Sequence, residues 1–319
     1  MNLNRVLVTG GAGFIGGHVV DKLLAAGYEV RVLDDLSNGS LVNIERLREV
    51  DFVKGDVCDT GVARESVRGV DAVVHLAAMT SVPFSVQHPD LTVKVNVGGT
   101  ENLVGECQRA KVKRFVFASS ASVYGDPCYL PIDENHPTRP LSPYAASKLN
   151  GEMQCKVSSE DHGLETVVLR LFNVYGPRQT MNAYSGVITQ FMNRIKKGLP
   201  LIIFGDGGIT RDFVHVWDVA DALLMALKLD CVKGEAFNIG FGEATTLDRL
   251  AKTVLDLAGK DLGIVYEKPR VGDVKASYAN ISKAEKLLNY KPMVSLEKGL
   301  QTLVSRPEAD SAKENQNHV

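Results

Sequence analysis

Tyr144 and Lys148 stand four apart in Tyr144-Ala145-Ala146-Ser147-Lys148, which puts a phenol and an ammonium on one face of any helix that carries them. A phenol loses its proton at about pH 10 and is a poor base at neutral pH. A nearby cation favours the phenolate, and each unit of lowering needs about 1.4 kcal/mol of differential stabilisation. The pair therefore reads as a proton-transfer centre in which the Lys148 ammonium would favour the Tyr144 phenolate. A strand-like run before it ends in Ser119-Ser120-Ala121-Ser122. A hydroxyl there is placed to hydrogen-bond the same substrate oxygen as Tyr144.

Such a centre needs elements to hold it. Ser142 fits a helix N-cap and Pro143 the first helical position, so the spacing predicts a helix over residues 143–162. Near the start, Thr9-Gly10-Gly11-Ala12-Gly13-Phe14-Ile15-Gly16 follows the apolar Val6-Leu7-Val8 and precedes an amphipathic stretch over 18–26. That is strand, glycine turn, helix. A helix N-terminus gathers unpaired N–H groups and the positive end of the dipole, an anion site. The glycines permit the tight turn and let a pyrophosphate approach the backbone. Two registers overlap, Gly10, Gly13, Gly16 and Gly11, Gly13, Gly16. A second apolar run ends in Asp34, about 20 residues on, the separation of a ribose-binding acid. A carboxylate there accepts from ribose hydroxyls and repels a 2′-phosphate, which favours NAD over NADP. An oxidised nicotinamide beside Tyr144 adds a second positive charge in favour of the phenolate.

The chain has 319 residues, 45% hydrophobic and 23% charged, with a formal net charge of −2. That is long enough for a sizeable core in one large domain or two lobes. The charge balance shows no footprint for nucleic acid. No apolar run reaches membrane-spanning length. Cys58, Cys107, Cys128, Cys155 and Cys231 are scattered, without zinc spacing, so no metal is expected. A strand directly at the N-terminus leaves no room for a signal peptide, and the expectation is a reducing cytoplasm.

Strand signals at 5–9, 29–34, 51–54, 72–76, 114–119 and 166–172 alternate with helical patterns, including 91–110 and 143–162. That rhythm predicts an α/β fold, a doubly wound parallel (Rossmann) sheet with ligands beyond the strands' C-terminal ends. After Asn173 it breaks. Helices are expected over 187–197, 219–229 and 247–258, and strands over 201–204, 212–216 and 237–239. Residues 1–173 with about 211–239 read as the NAD-binding lobe. Residues 174–210 with 240–305 read as a smaller α/β substrate lobe, and 306–319 as a disordered tail.

The chain resembles the extended short-chain dehydrogenase/reductases, and within them the NAD-dependent nucleotide-sugar 4-epimerases, over about residues 4–304. The resemblance rests on TGGAGFIG (9–16), LDDLSNG (33–39), GDVCD (55–59), HLAA (75–78), SSASVYG (119–125), YAASK (144–148), LFNVYGPRQ (171–179), RDFVHVWDVA (211–220) and RVGDVKAS (270–277). It implies that Gly10, Gly13, Phe14, Ile15 and Gly16 bind the cofactor phosphates and that Asp34, with Asp35, Ser37, Asn38 and Gly39, holds the adenosine ribose. Asp56 and Val57 would flank the adenine. Leu76, Ala77 and Ala78 would line the cofactor channel, with Thr80, Asn96 and Ser119 also assigned to the cofactor. Ser120 takes the catalytic hydroxyl position and, with Ser122, borders the sugar. Asn173, Arg211 and Arg270 would grip a UDP diphosphate, for which Arg has the bidentate geometry. Val187, Ile203, Phe204 and Asp273 are further substrate contacts, the backbone of 201–204 facing the uracil. Ser277 would border the sugar's 2-substituent, a small residue that leaves room for an N-acetyl group. A homodimer through helices 91–110 and 143–162 is implied in the same way.

The 4,6-dehydratases of that superfamily carry an Asp-Glu pair where this chain has Ala121 and Ser122. Elimination of water needs such an acid and base, so dehydration is not expected. The expected activity is an NAD-dependent UDP-hexose 4-epimerase acting on UDP-glucose and UDP-galactose, with the N-acetylated pair also open. A UDP-glucuronate 4-epimerase and a nucleotide 4-ketosugar reductase are the alternatives within enzymes. An NAD-responsive regulatory protein is the alternative outside them, and the presence of Ser120, Tyr144 and Lys148 together stands against it. His75 and His215 are expected to be core residues with satisfied rings.

Overall fold

Short β-branched runs set the architecture. The computed structural model describes residues 3–179, 186–269 and 274–305; the expected tail lies outside them. The first half runs β1 (Arg5–Thr9), α1 (Phe14–Ala25), β2 (Glu29–Asp34), β3 (Val50–Lys54), α2 (Thr60–Val67), β4 (Ala72–His75), α3 (Val82–Gln87), α4 (Pro89–Val93), α5 (Gly99–Arg109), β5 (Arg114–Ser120), α6 (Pro143–Asp161) and β6 (Glu165–Leu171). The second half runs β7 (Asn173–Tyr175), α7 (Val187–Lys196), β8 (Leu201–Phe204), β9 (Thr210–Arg211), β10 (Phe213–His215), α8 (Val216–Lys228), β11 (Ala236–Ile239), β12 (Thr245–Thr246), α9 (Leu247–Ala258), β13 (Ile264–Glu267), β14 (Ala276–Ser277), α10 (Ser282–Leu288) and α11 (Leu296–Val304).

Seven parallel strands form one sheet in the order β11-β6-β5-β4-β1-β2-β3. Side chains alternate across it, as the pleat requires. Val6, Val8, Val116 and Ala118 join the core under α1 and α8. Leu7, Phe115 and Phe117 join the core of the opposite face, where Leu103 of α5 and Cys155 of α6 also pack. Both faces are covered, which is why these strands are near-continuous apolar runs. Strand order reverses between β1 and β4, so the crevice beyond their C-terminal ends is the binding position of such a sheet.

Three small sheets lie in the second half: β10 with β7, β12-β9-β14, and β13 with β8. Phe191, Leu201, Ile203, Leu250, Val254 and Leu300 form a separate core there. The chain leaves this region to add α8 and β11 to the large sheet's layers. The two-residue strands carry no periodic signal, and sequence reading missed them. The helix expected over 91–110 is instead α4, a π-helical turn over Lys94–Gly98, and α5. A π turn inserts one residue into the helical register, which apolar spacing does not reveal. The strand expected over 212–216 is shorter, because His215 already caps α8 by accepting the Trp217 N–H.

Helix α6 reaches β5 closely because of one glycine. A Cβ on Gly151 would lie 2.4 Å from Cζ of the buried Phe117 ring. Alanine gains up to about 1 kcal/mol of helix propensity over glycine, yet overpacking a filled core costs about 1–3 kcal/mol. Gly151→Ala is therefore expected to lower the thermal unfolding midpoint. A raised midpoint would show that the ring has room to move.

Candidate active site

The N-terminus of α6 is built as its sequence dictates. Ser142 Oγ accepts the Ala145 N–H at 3.1 Å, and Pro143 occupies the first turn. The Tyr144 N–H donates to Ser85 Oγ at 3.1 Å, tying α6 to α3. Tyr144 is 9% exposed and Lys148 5%. At the end of β5, Ser120 Oγ accepts the Ser122 N–H at 3.2 Å and stands near enough to the Tyr144 phenol to lower its pKa. Lys148 Nζ donates to the Ala118 carbonyl at 2.8 Å and sits 5.0 Å from the Phe117 ring centre. Ser120, Tyr144 and Lys148 thus converge at one strand end. Ser122 Oγ is buried without a hydrogen-bond partner, a polar atom left over in the same place. Ser119 is turned the other way, its hydroxyl donating to Glu152.

The electrostatics differ from the sequence expectation. Burial raises the Tyr144 phenol, and the neighbouring Ser120 hydroxyl only partly offsets it. Burial lowers the Lys148 ammonium to about 8. The expected help from Lys148 to Tyr144 is not the governing effect, because the ammonium is aimed at Ala118 and both groups are desolvated. Desolvation disfavours the charged form of each.

Beyond β1 the chain forms a cradle. Gly10 has φ +68°, and a Cβ there would lie 2.8 Å from the Ala77 nitrogen. A Cβ on Gly16 would lie 2.0 Å from the Gly10 oxygen, and one on Gly11 2.7 Å from Val32. Gly10, Gly11 and Gly16 are therefore sterically required, while a Cβ on Gly13 would lie 3.1 Å from the Gly10 oxygen, a tight contact only. Gly13 is the extended N-cap of α1, with no side chain capping the first turn; Phe14 and Ile15 follow, half-buried. Uncapped N–H groups above a glycine cradle fit a dinucleotide's pyrophosphate.

At the end of β2, Asp34 accepts the Ala12 N–H at 2.9 Å and the Leu36 N–H at 2.8 Å. Burial raises its pKa while those two N–H groups pull it down. Each oxygen keeps a lone pair for a ribose hydroxyl. A Cβ on Gly39 would lie 2.8 Å from Asp34 Oδ1. Asp35, Ser37 and Asn38 are exposed, and Asp35 takes both the N–H and the hydroxyl of Ser37. Asp56 caps a turn by accepting the Cys58 N–H. The Val57 side chain is buried against Gly99 of α5, so only its backbone faces outward chemistry.

Leu76 and Ala77 donate their N–H groups to Thr9 Oγ1, with Ala78 half-buried and Thr80 exposed after them. Asn96, on the π turn, has its amide committed. Its oxygen accepts the Met79 N–H at 2.7 Å, and its nitrogen donates to the Met79 carbonyl and to Ser147 Oγ. Asn96 therefore positions the 79–80 loop and α6 together. His75 is satisfied at both nitrogens, and its tautomer follows. Thr100 spends its hydroxyl proton on the Asn96 carbonyl at 2.6 Å, so it accepts from His75 Nε2. Nδ1 then accepts the Thr9 hydroxyl at 2.7 Å. Burial, then Lys148, holds His75 down at about 3, so it stays neutral. His215 is less complete than expected: Nδ1 accepts the Trp217 N–H, but Nε2 is buried without a partner.

In the second half, Arg211 occupies the central strand of its sheet, opposite Thr245 on one side and Ser277 on the other. Its Nη1 donates to the Thr210 carbonyl at 2.8 Å. Asn173 Nδ2 donates to the Asp212 carbonyl at 3.1 Å, which brings Asn173 beside the same segment. Ile203 points into the local core and Phe204 alternates outward, half-buried; Val187 opens α7, also half-buried. Arg270 and Asp273 lie outside the described residues. Sequence reading missed Asp212. Its carboxylate is fully buried and accepts the N–H groups of Phe241, Gly242 and Ala279, which ties three segments around Arg211. Burial pushes it up to about 6. No local pattern signals such a residue, since its donors come from sequence-distant loops.

The model of the NAD dependent epimerase/dehydratase family matches residues 6–240. The chain is 39% identical over 303 residues to Mycolicibacterium smegmatis UDP-glucose 4-epimerase, covering 93% of this chain and 96% of that one. It is similar in structure to Thermotoga maritima UDP-glucose 4-epimerase solved with UDP-glucose, with TM-score 0.90, 40% identity and coverage of 94% and 97%. It is also similar to Methanobrevibacter ruminantium M1 UDP-N-acetylglucosamine 4-epimerase in complex with UDP-N-acetylmuramic acid, with TM-score 0.91, 35% identity and coverage of 95% and 98%.

Lys148 gives a stability test. Its folded pKa of about 8 lies below the ordinary 10.5. Between these values the unfolded chain binds more protons, so stability rises with pH across that window. Below pH 8 the buried charge is a burden of up to about 3 kcal/mol. Lys148→Met is expected to unfold at or above the wild-type midpoint at pH 7, the difference shrinking as pH rises towards 10. A less stable variant at pH 7 would show that the bond to Ala118 outweighs desolvation.

Proposed function

The chain belongs to the NAD dependent epimerase/dehydratase family, and we propose that it is an isomerase that inverts C4 of a UDP-hexose, interconverting UDP-glucose and UDP-galactose. The observation that carries this reading is the meeting of Ser120, Tyr144 and Lys148 at the end of β5, with Ala121 and Ser122 where a dehydratase needs an acid and a base.

The Gly10–Gly16 cradle and Asp34 would hold NAD, which would supply a reversible hydride acceptor and a positive charge that favours the phenolate. Tyr144 takes the proton of the sugar 4-hydroxyl as C4 is oxidised, with Ser120 donating a hydrogen bond to the reacting oxygens. The 4-keto sugar turns over on its nucleotide tether, and as hydride returns to the opposite face of C4, Tyr144 returns the proton to the 4-oxygen. Lys148 lends its ammonium below about pH 8. Asn173 and Arg211 are adjacent through Asp212, which supports their role at the diphosphate, with Arg270 completing the set. The backbone at Ile203 and Phe204 would receive the uracil.

The division into an NAD lobe and a substrate lobe, at about residues 173, 211 and 239, belongs to this reading. So does a homodimer: Val86, Val93, Met153 and Val157 are exposed apolar residues on α3, α4 and α6, helices that pack on one another. No helix among the described residues is long and apolar enough to cross a membrane. Five unpaired thiols are consistent with a cytoplasmic enzyme.

The test is direct. The purified protein is incubated separately with UDP-glucose, UDP-N-acetylglucosamine and UDP-glucuronate, without added cofactor, and C4 inversion is followed. Inversion of UDP-glucose is expected, and Tyr144→Phe should reduce it on the order of 100-fold or more. Near-normal turnover by that variant would remove Tyr144 as the base. Net reduction that consumes added NADH would favour a 4-ketosugar reductase instead. Ser277 lies beside Arg211, which supports its place near the sugar. Ser277→Tyr is expected to depress activity on the N-acetylated substrate more than tenfold relative to UDP-glucose, roughly the discrimination of a crowded pocket. Equal effects on both would remove Ser277 from that role.

A further inference from the structure

Arg170 and Glu152 form a buried ion pair that the chemistry above does not use. Glu152, one turn beyond Lys148 on α6, is bound by Arg170 of β6 through three contacts of 2.7–3.2 Å. Both residues are buried. Such a pair is poor evidence for stability, because desolvating two charges offsets most of their attraction. What sets this one apart is that it is wired at both ends. On one side Ser119 Oγ donates to Glu152 at 2.5 Å, one residue before Ser120. On the other, Arg170 Nη1 donates to the Tyr124 hydroxyl at 2.9 Å, with the guanidinium 4.9 Å from that ring's centre. Tyr124 donates to Asn238 Oδ1 at 2.6 Å, and Asn238 Nδ2 donates to the Ile132 carbonyl at 2.9 Å. The Ile132 N–H then donates to the Tyr278 carbonyl at 2.9 Å, next to Ser277 of β14.

The chain therefore runs without a gap from the strand end carrying Ser120 to the strand carrying Ser277. Tyr124 is its middle link. It is fully buried, and burial pushes its phenol up to about 12, so it remains a neutral donor. One hydroxyl proton serves Asn238 and one lone pair takes Arg170, which leaves no slack in the arrangement. We propose that Tyr124 is a positioning residue for the reaction: its hydroxyl holds the Ser120 end of β5 and the β14 segment at a set separation. This rests on the epimerase reading.

Tyr124→Phe keeps the ring and removes only the link; Arg170 Nη1 retains the Glu134 carbonyl at 3.3 Å. Displacement of reacting groups by a fraction of an ångström lowers the chemical step, so kcat should fall on the order of tenfold. KM should change by less than kcat does, since Asn173 and Arg211 keep their own hydrogen bonds. Two readouts accompany turnover. Hydrogen exchange should rise both at residues 119–125 and at 276–280, while peptides of β1 and β2 stay as in wild type. Tyr124→Phe combined with Ser119→Ala should cost less than the two single effects multiplied together, because both cut one chain. A kcat within twofold of wild type, a rise in KM alone, exchange changes confined to 119–125, or multiplicative effects would each overturn the proposal. A wild-type protein that fails to invert any UDP-sugar would remove the epimerase reading, and the exchange measurement would still decide whether Tyr124 couples the two segments.

Discussion

Desolvation of Tyr144 and Lys148 beneath one face of α6 is the constraint on which the remainder of the site depends. Two groups of complementary charge sit in a dry wedge against the end of β5, and burial pushes each towards neutrality. Lys148 is held on the Ala118 carbonyl, so the chain alone does little to favour the Tyr144 phenolate. The site is therefore built to respond to positive charge brought from outside the chain. That dependence suits a reaction whose oxidised cofactor carries the charge.

Everything near the wedge is arranged to hold it still. Gly151 lets α6 sit on Phe117 without a gap. Ser85 and Ser142 anchor the helix start. Neutral His75 runs a hydrogen-bonded line from Thr9, at the lip of the glycine cradle, to the π turn at Asn96, which holds α6 through Ser147. These contacts join the glycine cradle to the helix that carries Tyr144 through neutral groups. A charged histidine there would oppose Lys148 directly, and burial prevents it.

The second half of the chain uses the same device with a different group. Asp212 gathers three backbone N–H donors and so fixes the loops around Arg211 and Asn173. Its raised pKa means that part of this arrangement is held against the carboxylate's preference for water.

Much of this was legible in the amino-acid order. The glycine run, the cap at Ser142 and Pro143, the alternation of β-branched strands with helices, and the four-residue spacing of Tyr144 and Lys148 are all local. Each is decided by neighbours within a turn or a strand, so a linear reading captures it. Roles for Asp56, Asn173 or Ser277 came only by resemblance, since nothing in their immediate context distinguishes them. The aim of Lys148 at Ala118, the π turn at Asn96, the donors around Asp212 and the chain through Tyr124 and Arg170 were not legible. They follow from which strands become neighbours, β6 beside β5 and β11 beside β6. Such pairings join residues 51 and 68 positions apart, and the burial that shifts the pKa values exists only after they form. The sequence by itself determined which groups are available and on which elements they ride; the tertiary structure alone decided how dry they are and which way they point, because desolvation and hydrogen-bond geometry belong to the packed whole.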